Sequence, residues 1–405
     1  MLFEIILLAG LGLAGFLLFG KPEPEPIFGV YKEPGKWYYL KYALFYCIML
    51  SRKLIGNLTK GVNRTGYGLK SHPTLADMDV AQKLSPHSKA FDAVFFMATT
   101  KDGFYLVGGA ERRHSGVVNG LFYVAVPGVG LLCSSKIPDT VLHGARENEF
   151  GAEGIRFIPI EPMKHWRVEF EGDMWHHDDP NKTSKVVVRG DWKSNLPYFD
   201  FDTDSNISTM CSAIARESWS REYFEFLKNA HQSHYEQMGT LKATVTLDGK
   251  EYRLDCQAFR DHSYGFKRDW KLMHRYIFHM LFLEDGTTAS IGVICQPCTC
   301  SVLKIGYVYK PDGTLYPLEW CDLQLYQHGE NGSPPRDHAF SFKAGGTVYR
   351  VQVDVEYESI HYKGEEREAR MVERFVRYHV NGKVKGRGVS EFHYNNSNDV
   401  KRGTV

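Results

Sequence analysis

From about Ala90 onward the chain is dominated by apolar–polar alternation with a period of two, and this pattern confines it to β-structure. Successive side chains on a strand face opposite sides, so alternation marks a surface buried on one side. Residues 91–98 and 104–107 flank Thr100-Lys101-Asp102-Gly103, a hairpin signal, and 121–126 and 129–133 flank Pro127-Gly128. Residues 166–170 alternate, and 186–189 form a β-branched run. Further on, 241–247 and 252–254 flank Asp248-Gly249-Lys250, and 281–283 and 288–293 flank Glu284-Asp285-Gly286. Residues 302–309 precede Pro311-Asp312-Gly313, 347–357 and 371–380 alternate, and Asn381-Gly382 turns the chain into 384–392. So many short strands between turns imply sandwiches or barrels. One segment breaks the pattern: 216–232 carries Trp219, Tyr223, Phe226 and Leu227 at helical spacing, which predicts a mid-chain helix.

A length of 405 residues suits two or three domains, and 43% hydrophobic with 24% charged residues allows large cores. Lys+Arg number 49 against 48 Asp+Glu, a balance that excludes a general nucleic-acid binder. The 8 cysteines (Cys47, Cys133, Cys211, Cys256, Cys295, Cys298, Cys300 and Cys321) sit mostly in apolar stretches. They are too sparse for a disulfide scaffold and read as buried thiols of a reducing compartment.

Residues 2–19 are apolar except for Glu4, long enough to span a bilayer. No basic residue precedes them and no small-x-small cleavage site follows, which favours a retained anchor over a cleaved signal. Lys21, Lys32, Lys36, Lys41, Arg52, Lys53, Lys60 and Arg64 follow it, so the positive-inside rule places the body in the cytosol, on an endomembrane such as the endoplasmic reticulum. Sequons at Asn57, Asn63, Asn181, Asn206, Asn331 and Asn395 point the other way, and such triplets also arise by chance. The Pro-Glu linker after Lys21 is stiff and extended. Residues 36–56 crowd Tyr, Trp and Leu between basic residues, which suits either an interfacial helix or one packed on the body. The expected organisation is an anchor over 1–20, linker and interfacial helix over 21–69, a first β-barrel over 70–238 ending in the helix, and a second over 239–405.

The most unusual stretch is Arg260-Asp261-His262-Ser263-Tyr264-Gly265-Phe266-Lys267-Arg268-Asp269-Trp270. Asp261 and His262 are adjacent, so on a strand only one of them points into a barrel. A carboxylic acid held neutral in an apolar pocket can protonate an alkene, the first step of hydration. Alternatively Asp261 pairs with Arg260, Lys267 or Arg268, and His262 bonds backbone, in a structural network. With the upstream His234-Tyr235-Glu236-Gln237 and the closing Gly386-Arg387-Gly388-Val389-Ser390-Glu391, this stretch resembles the hydroxyneurosporene synthase-like (carotenoid hydratase-like) and fungal survival-factor-like family, over roughly residues 70–395.

The resemblance implies an all-β fold of two lipocalin-like (calycin-type) barrels or strongly curved sandwiches. It maps the family's proton donor onto Asp261, with His262 beside it. Phe259 stands where the hydratases carry Tyr, and Tyr264 where they carry Trp. The ligand-binding candidates are Phe259, Tyr264, Trp270 and Tyr235, and the polar-network candidates are Arg260, Arg268 and Glu236. Cys295-x-x-Cys298-x-Cys300 reads as buried thiols, His231-x-x-His234 with Glu236 as a polar junction, and 175–180 as a polar hairpin loop. Gly108-Gly109 and Gly345-Gly346 lack the context of phosphate loops. No metal and no cofactor is expected. The expected partners are the lipid bilayer and an apolar small molecule: a lipid, sterol or isoprenoid that the barrels bind or transfer. A cofactor-free hydratase or isomerase of a polyene or terpenoid, with Asp261 as general acid, is the alternative, and a membrane-bound scaffold is a third.

Overall fold

The structure, a computed structural model, describes residues 23–58 and 74–397. The anchor over 2–19 and the sequon at Asn63 lie outside them. No described helix is long and apolar enough to cross a membrane.

The chain opens with α1 (Tyr38–Leu58) and the short α2 (Leu75–Met78). Then come β1 (Phe91–Thr99), β2 (Tyr105–Arg112), β3 (Val118–Val126), β4 (Gly130–Ser134), β5 (Val141–Leu142), β6 (Ile155–Glu161), β7 (His165–His176), β8 (Asp179–Lys193) and β9 (Phe199–Asp200). Helices α3 (Ile207–Arg216) and α4 (Arg221–Asn229) precede β10 (Gln232–Leu247) and β11 (Lys250–Gly265). The rest is β12 (Arg275–Leu283), β13 (Thr288–Gln296), β14 (Cys300–Tyr309), β15 (Leu315–Cys321), β16 (Asp337–Ala344), β17 (Thr347–Lys363), β18 (Ala369–Val380) and β19 (Val384–Asn395).

The strands form two rings. The first runs β11-β1-β2-β3-β4-β7-β8-β10 and closes because β10 also pairs with β11, while β5, β6 and β9 hang from its outside or ends. The second is a closed meander of β12 to β19. Closure leaves no exposed edge on either ring. The passage between the rings therefore falls at residues 266–274, not at 238/239. The long hairpin β10–β11, paired from Gln232↔Gly265 to Leu247↔Lys250, completes the first ring instead of opening the second.

Each ring closes around its own apolar core. Phe96, Phe122, Phe157, Phe170, Trp166 and Trp192 pack inside the first barrel, and Phe340, Phe342, Tyr349, Tyr378 and Phe392 inside the second. Gly108 contributes to this packing, because a Cβ there would lie 2.7 Å from the Phe122 ring. A third core joins the barrels. Met97, Tyr105, Leu121, Tyr123 and Phe259 on the outer face of the first ring meet Met280, Phe282, Tyr307 and Phe375 on the outer face of the second. β1 and β3 are consequently buried on both faces, whereas β8, whose outer face meets solvent, alternates from Ser184 onward.

The single helix expected over 216–232 is two helices and the start of a strand. The Asn206 side chain caps α3, the Ser220 hydroxyl caps α4, and β10 begins at Gln232. α1 docks on α3 through one stripe: Tyr38 and Tyr42 hydroxyls sit 2.9 and 2.8 Å from those of Ser212 and Ser208, and Phe45 packs on Trp219. Its opposite stripe is open, with Tyr39 81%, Leu40 60% and Leu44 52% exposed.

Candidate functional site

Strand alternation sorts the signature residues into two environments. On β11, Arg260 and His262 point into the first barrel, while Phe259, Asp261 and Ser263 point out towards the second. On β10, Tyr235 and Gln237 point in, and His234 and Glu236 point out.

The inward set forms a closed polar network at one end of the first barrel. Arg260 donates to both Asp79 oxygens at 2.7 and 3.0 Å, with its guanidinium near the Trp166 and Trp192 rings. Tyr235 donates to Asp79 at 2.8 Å and lies 2.7 Å from His262 Nδ1, and Trp166 Nε1 donates to Asp79 at 3.0 Å. His262 Nε2 meets Asp92 at 2.7 Å, and Arg112 holds the other Asp92 oxygen. Burial would raise the Asp79 carboxyl, but Arg260 and His262 outweigh it and hold it below the ordinary range. Burial would lower His262, but Asp92 and Asp79 raise it overall. Asp79 follows α2 directly, so this short helix plugs the barrel end.

The outward set lines a cleft of about 190 Å³ between the barrels. One wall is apolar, built from Phe95, Leu121, Phe259, Phe278, Met280 and Trp270. At the other side stands a polar corner, where His234 Nε2 lies 3.1 Å from Asp261 Oδ2 and 3.6 Å from Glu236 Oε1. The His234, Glu236 and Asp261 donor atoms all lie within 4.8 Å of one another, close enough to share a cation. Phe201 stacks on the His234 ring at 4.4 Å and fixes its plane. Burial, with the charge of Asp261 adding to it, pushes the Glu236 carboxyl up to about 7 against the opposing pull of His234. Burial lowers His234, but its bond to Asp261 and both neighbouring charges raise it overall.

A second acidic pair lies on the far wall. Glu391 accepts from the Tyr276 hydroxyl at 3.0 Å and pairs across the ladder with the buried Glu373. Burial raises both carboxyls, and each is raised further by acidic neighbours. At the rim, Glu111 accepts from Arg113, Arg268 and Asn119. Burial would raise it, but Arg113 and then Arg268 hold it down at about 2.

The structure thus brings Phe259, Asp261, Trp270, Arg268 and Glu236 to the cleft. It places His262, Tyr235 and Arg260 in the closed network and Tyr264 beside it, 5.2 Å from the His262 ring. His262, Tyr235 and Tyr264 do not line the cleft, because they sit one strand position from the residues that do. Glu236 belongs to the cleft corner, not to the structural network. The junction read at 231–236 also divides: His231 turns to Asp202 at 2.7 Å, and only His234 joins the corner. His234-x-Glu236 on one strand face was the available signal. Glu391, Tyr276 and Lys363 carried none, since only the folding of the second ring brings them opposite. All the cysteines are free, and all are buried as expected except the exposed Cys47 and the half-buried Cys298, which occupies the turn between β13 and β14.

A family model described as a family of unknown function (DUF8627) matches residues 12–394. No curated protein matches the chain significantly. Among solved structures, an AttH candidate from Nitrosomonas europaea superposes with a TM-score of 0.53 at 12% identity, covering 76% of this chain and 94% of that one. This likeness shows the shared two-barrel fold. Kievitone hydratase from Nectria haematococca (TM-score 0.46, 12% identity, 78% of this chain and 94% of that one) and CghA (0.44, 10%, 79% and 96%) are also similar.

Proposed function

We propose, on the premise that this chain belongs to the DUF8627 family of unknown function, that it binds an apolar small molecule in the cleft between its barrels, close to a membrane surface. One observation carries the reading: an aromatic wall and a polar corner of His234, Glu236 and Asp261 face each other across a cavity, while each barrel surrounds its own apolar core. Apolar lining with a few convergent polar groups is the usual composition of a ligand site. A lipid, sterol or isoprenoid with one polar end fits it, the chain lying along Phe95 and Phe278 and the polar end at His234 and Asp261.

The membrane part rests on α1. Leu40, Leu44 and Ile48 recur every four residues on its exposed stripe, so they project together from the side opposite the docked one. Lys36 and Arg52 bracket that stripe in sequence, the composition of a helix lying in a bilayer interface, and the apolar run 2–19 precedes it. The body then sits on the side of these basic residues, the cytosol. The side chains of Asn206 and Asn395 support that side: Asn206 caps α3, and Asn395 donates to the Lys271 and Met273 carbonyls, so a glycan on either would break these bonds.

A second reading is favoured by Asp261 facing the cleft in hydrogen-bond contact with His234. In it the protein is a cofactor-free hydratase or isomerase of a polyene or terpenoid. Asp261, in its acid form, gives its proton to one carbon of a double bond; in hydration water adds to the cation at the other carbon and its surplus proton returns to the carboxylate, in isomerisation a neighbouring C–H returns that proton, and His234 orients the carboxyl.

Lipid extraction of the purified full-length protein, analysed by mass spectrometry, should show one enriched apolar species. Ala93→Leu, which adds a side chain to the cleft wall, should deplete it. Equal recovery from the two proteins, both folded, would refute the cleft as the site. Turnover abolished by Asp261→Asn with binding retained would select the enzyme over the carrier.

A further inference from the structure

We propose that His234, Glu236 and Asp261 ligate a divalent transition-metal ion of the zinc type, whose open positions face the apolar cleft. The inference rests on reading the cleft as a ligand site and deepens it. It departs from the sequence expectation of no metal.

The first support is geometric. With metal–ligand bonds of about 2.1 Å, the observed separations correspond to angles of about 95° between His234 and Asp261, and about 120° between His234 and Glu236. Both are ordinary coordination angles. The second support is charge. Two carboxylates and a neutral imidazole match a dication, and the surroundings add acid: Asp200 lies near His234, and Glu391 near Asp261. The nearest cations are already engaged, Arg268 with Glu111 and Lys363 with Glu391.

The third support is an unfilled valence. Glu236 is 2% exposed and its Oε2 has no hydrogen-bond partner. A buried polar atom without a partner is expensive; the Tyr307 and Ser290 hydroxyls beside this carboxyl are unpartnered too, and a metal ion held through Oε1, with Oε2 as its second oxygen, would satisfy the carboxylate. One imidazole with two carboxylates suits a borderline first-row ion better than calcium, which takes six to eight oxygens. Phe201 stacking and the β10–β11 pairing of Glu236 with Asp261 hold the donors before any ion arrives. With three protein ligands, one or more positions remain for an oxygen of the bound molecule. The ligand class narrows accordingly to apolar molecules carrying a carbonyl, carboxylate or hydroxyl oxygen.

The test uses the full-length protein in detergent, stripped with chelator and titrated with Zn²⁺ by calorimetry. One equivalent should bind, with affinity at least tenfold weaker in Glu236→Gln and in His234→Asn. X-ray absorption on the zinc-loaded wild type, which needs no variant to fold, should show one imidazole among oxygen donors. No saturable uptake by the folded wild type, sulfur ligation, or unchanged affinity in both variants would overturn the proposal. An apolar fluorescent probe is titrated in parallel with chelator present. Probe binding without zinc uptake would remove the metal and keep the cleft, and zinc uptake without probe binding would do the reverse.

Discussion

Arg260 and Asp261 are neighbours in sequence, yet replacing them should have opposite consequences. Arg260 is 1% exposed and donates to both oxygens of Asp79, itself fully buried. Arg260→Met retains volume and removes the charge, leaving the Asp79 carboxylate with Tyr235, Trp166, the Met163 amide and the more distant His262 ring at 3.9 Å. Breaking one side of a buried ion pair costs about 3–5 kcal/mol. At about 2–4 °C per kcal/mol for a large domain, the melting temperature should fall by about 6–20 °C. Asp261→Asn keeps shape and an acceptor for His234 at a site 22% exposed, so it should cost about 1 kcal/mol or less. Thermal unfolding followed by near-ultraviolet circular dichroism reports directly, because Trp166 and Trp192 flank the Arg260 guanidinium. Equal destabilisation by the two substitutions, or a loss below about 1 kcal/mol for Arg260→Met, would refute the assignment of one residue to the closed network and the other to the cleft.

Stability should depend on pH at both ends of the neutral range. The Glu111 carboxyl titrates at about 2 in the fold against 4.5 unfolded, so its contribution is full above 4.5 and lost as pH falls towards 2; Glu111→Gln should flatten the acid limb of an unfolding-midpoint profile. His262 is raised above 6.5 in the fold, so its contribution is full below that value and lost as pH climbs through the folded value; His262→Gln should remove this alkaline decline. A Cβ at Gly292 would overlap the Phe278 ring, so Gly292→Ala should push that ring into the cleft, cost about 1–3 kcal/mol and weaken apolar-probe binding at least fivefold by fluorescence titration. Leu40→Glu with Leu44→Glu should reduce flotation of the chain, lacking residues 1–20, with anionic vesicles, leaving its melting temperature unchanged; equal flotation would refute interfacial docking. Endoglycosidase treatment of protein from eukaryotic cells should leave its gel mobility unchanged, since a shift would put the body on the lumenal side.

The strands and their turns were legible because alternation and Gly, Asn and Asp turn chemistry are local. The Asp248-Gly249 and Asn381-Gly382 turns join β10 to β11 and β18 to β19 as read. The mid-chain helix was misjudged because Trp219, Tyr223, Phe226 and Leu227 keep helical spacing across a boundary set by Ser220. That hydroxyl caps the second helix, while Glu217 turns away to bind Ser301. The boundary between barrels was misplaced because local pattern says that β10 and β11 pair with each other, not which ring they close.

Sequence alone determined that this chain is β-structure with an apolar N-terminal segment, and that Asp261 and His262 must face opposite ways, since the pleat admits no other outcome. It could not decide which of them faces a cavity. That depended on where the outer face of one ring meets the outer face of another, bringing Phe278, Tyr276 and Glu391 opposite Phe259, Glu236 and Asp261. Only the closing of each ring around its inward side chains decided which residues form the two barrel cores. The cleft between the barrels lies where their two outer surfaces diverge, a property of their docking that no local stretch of sequence encodes.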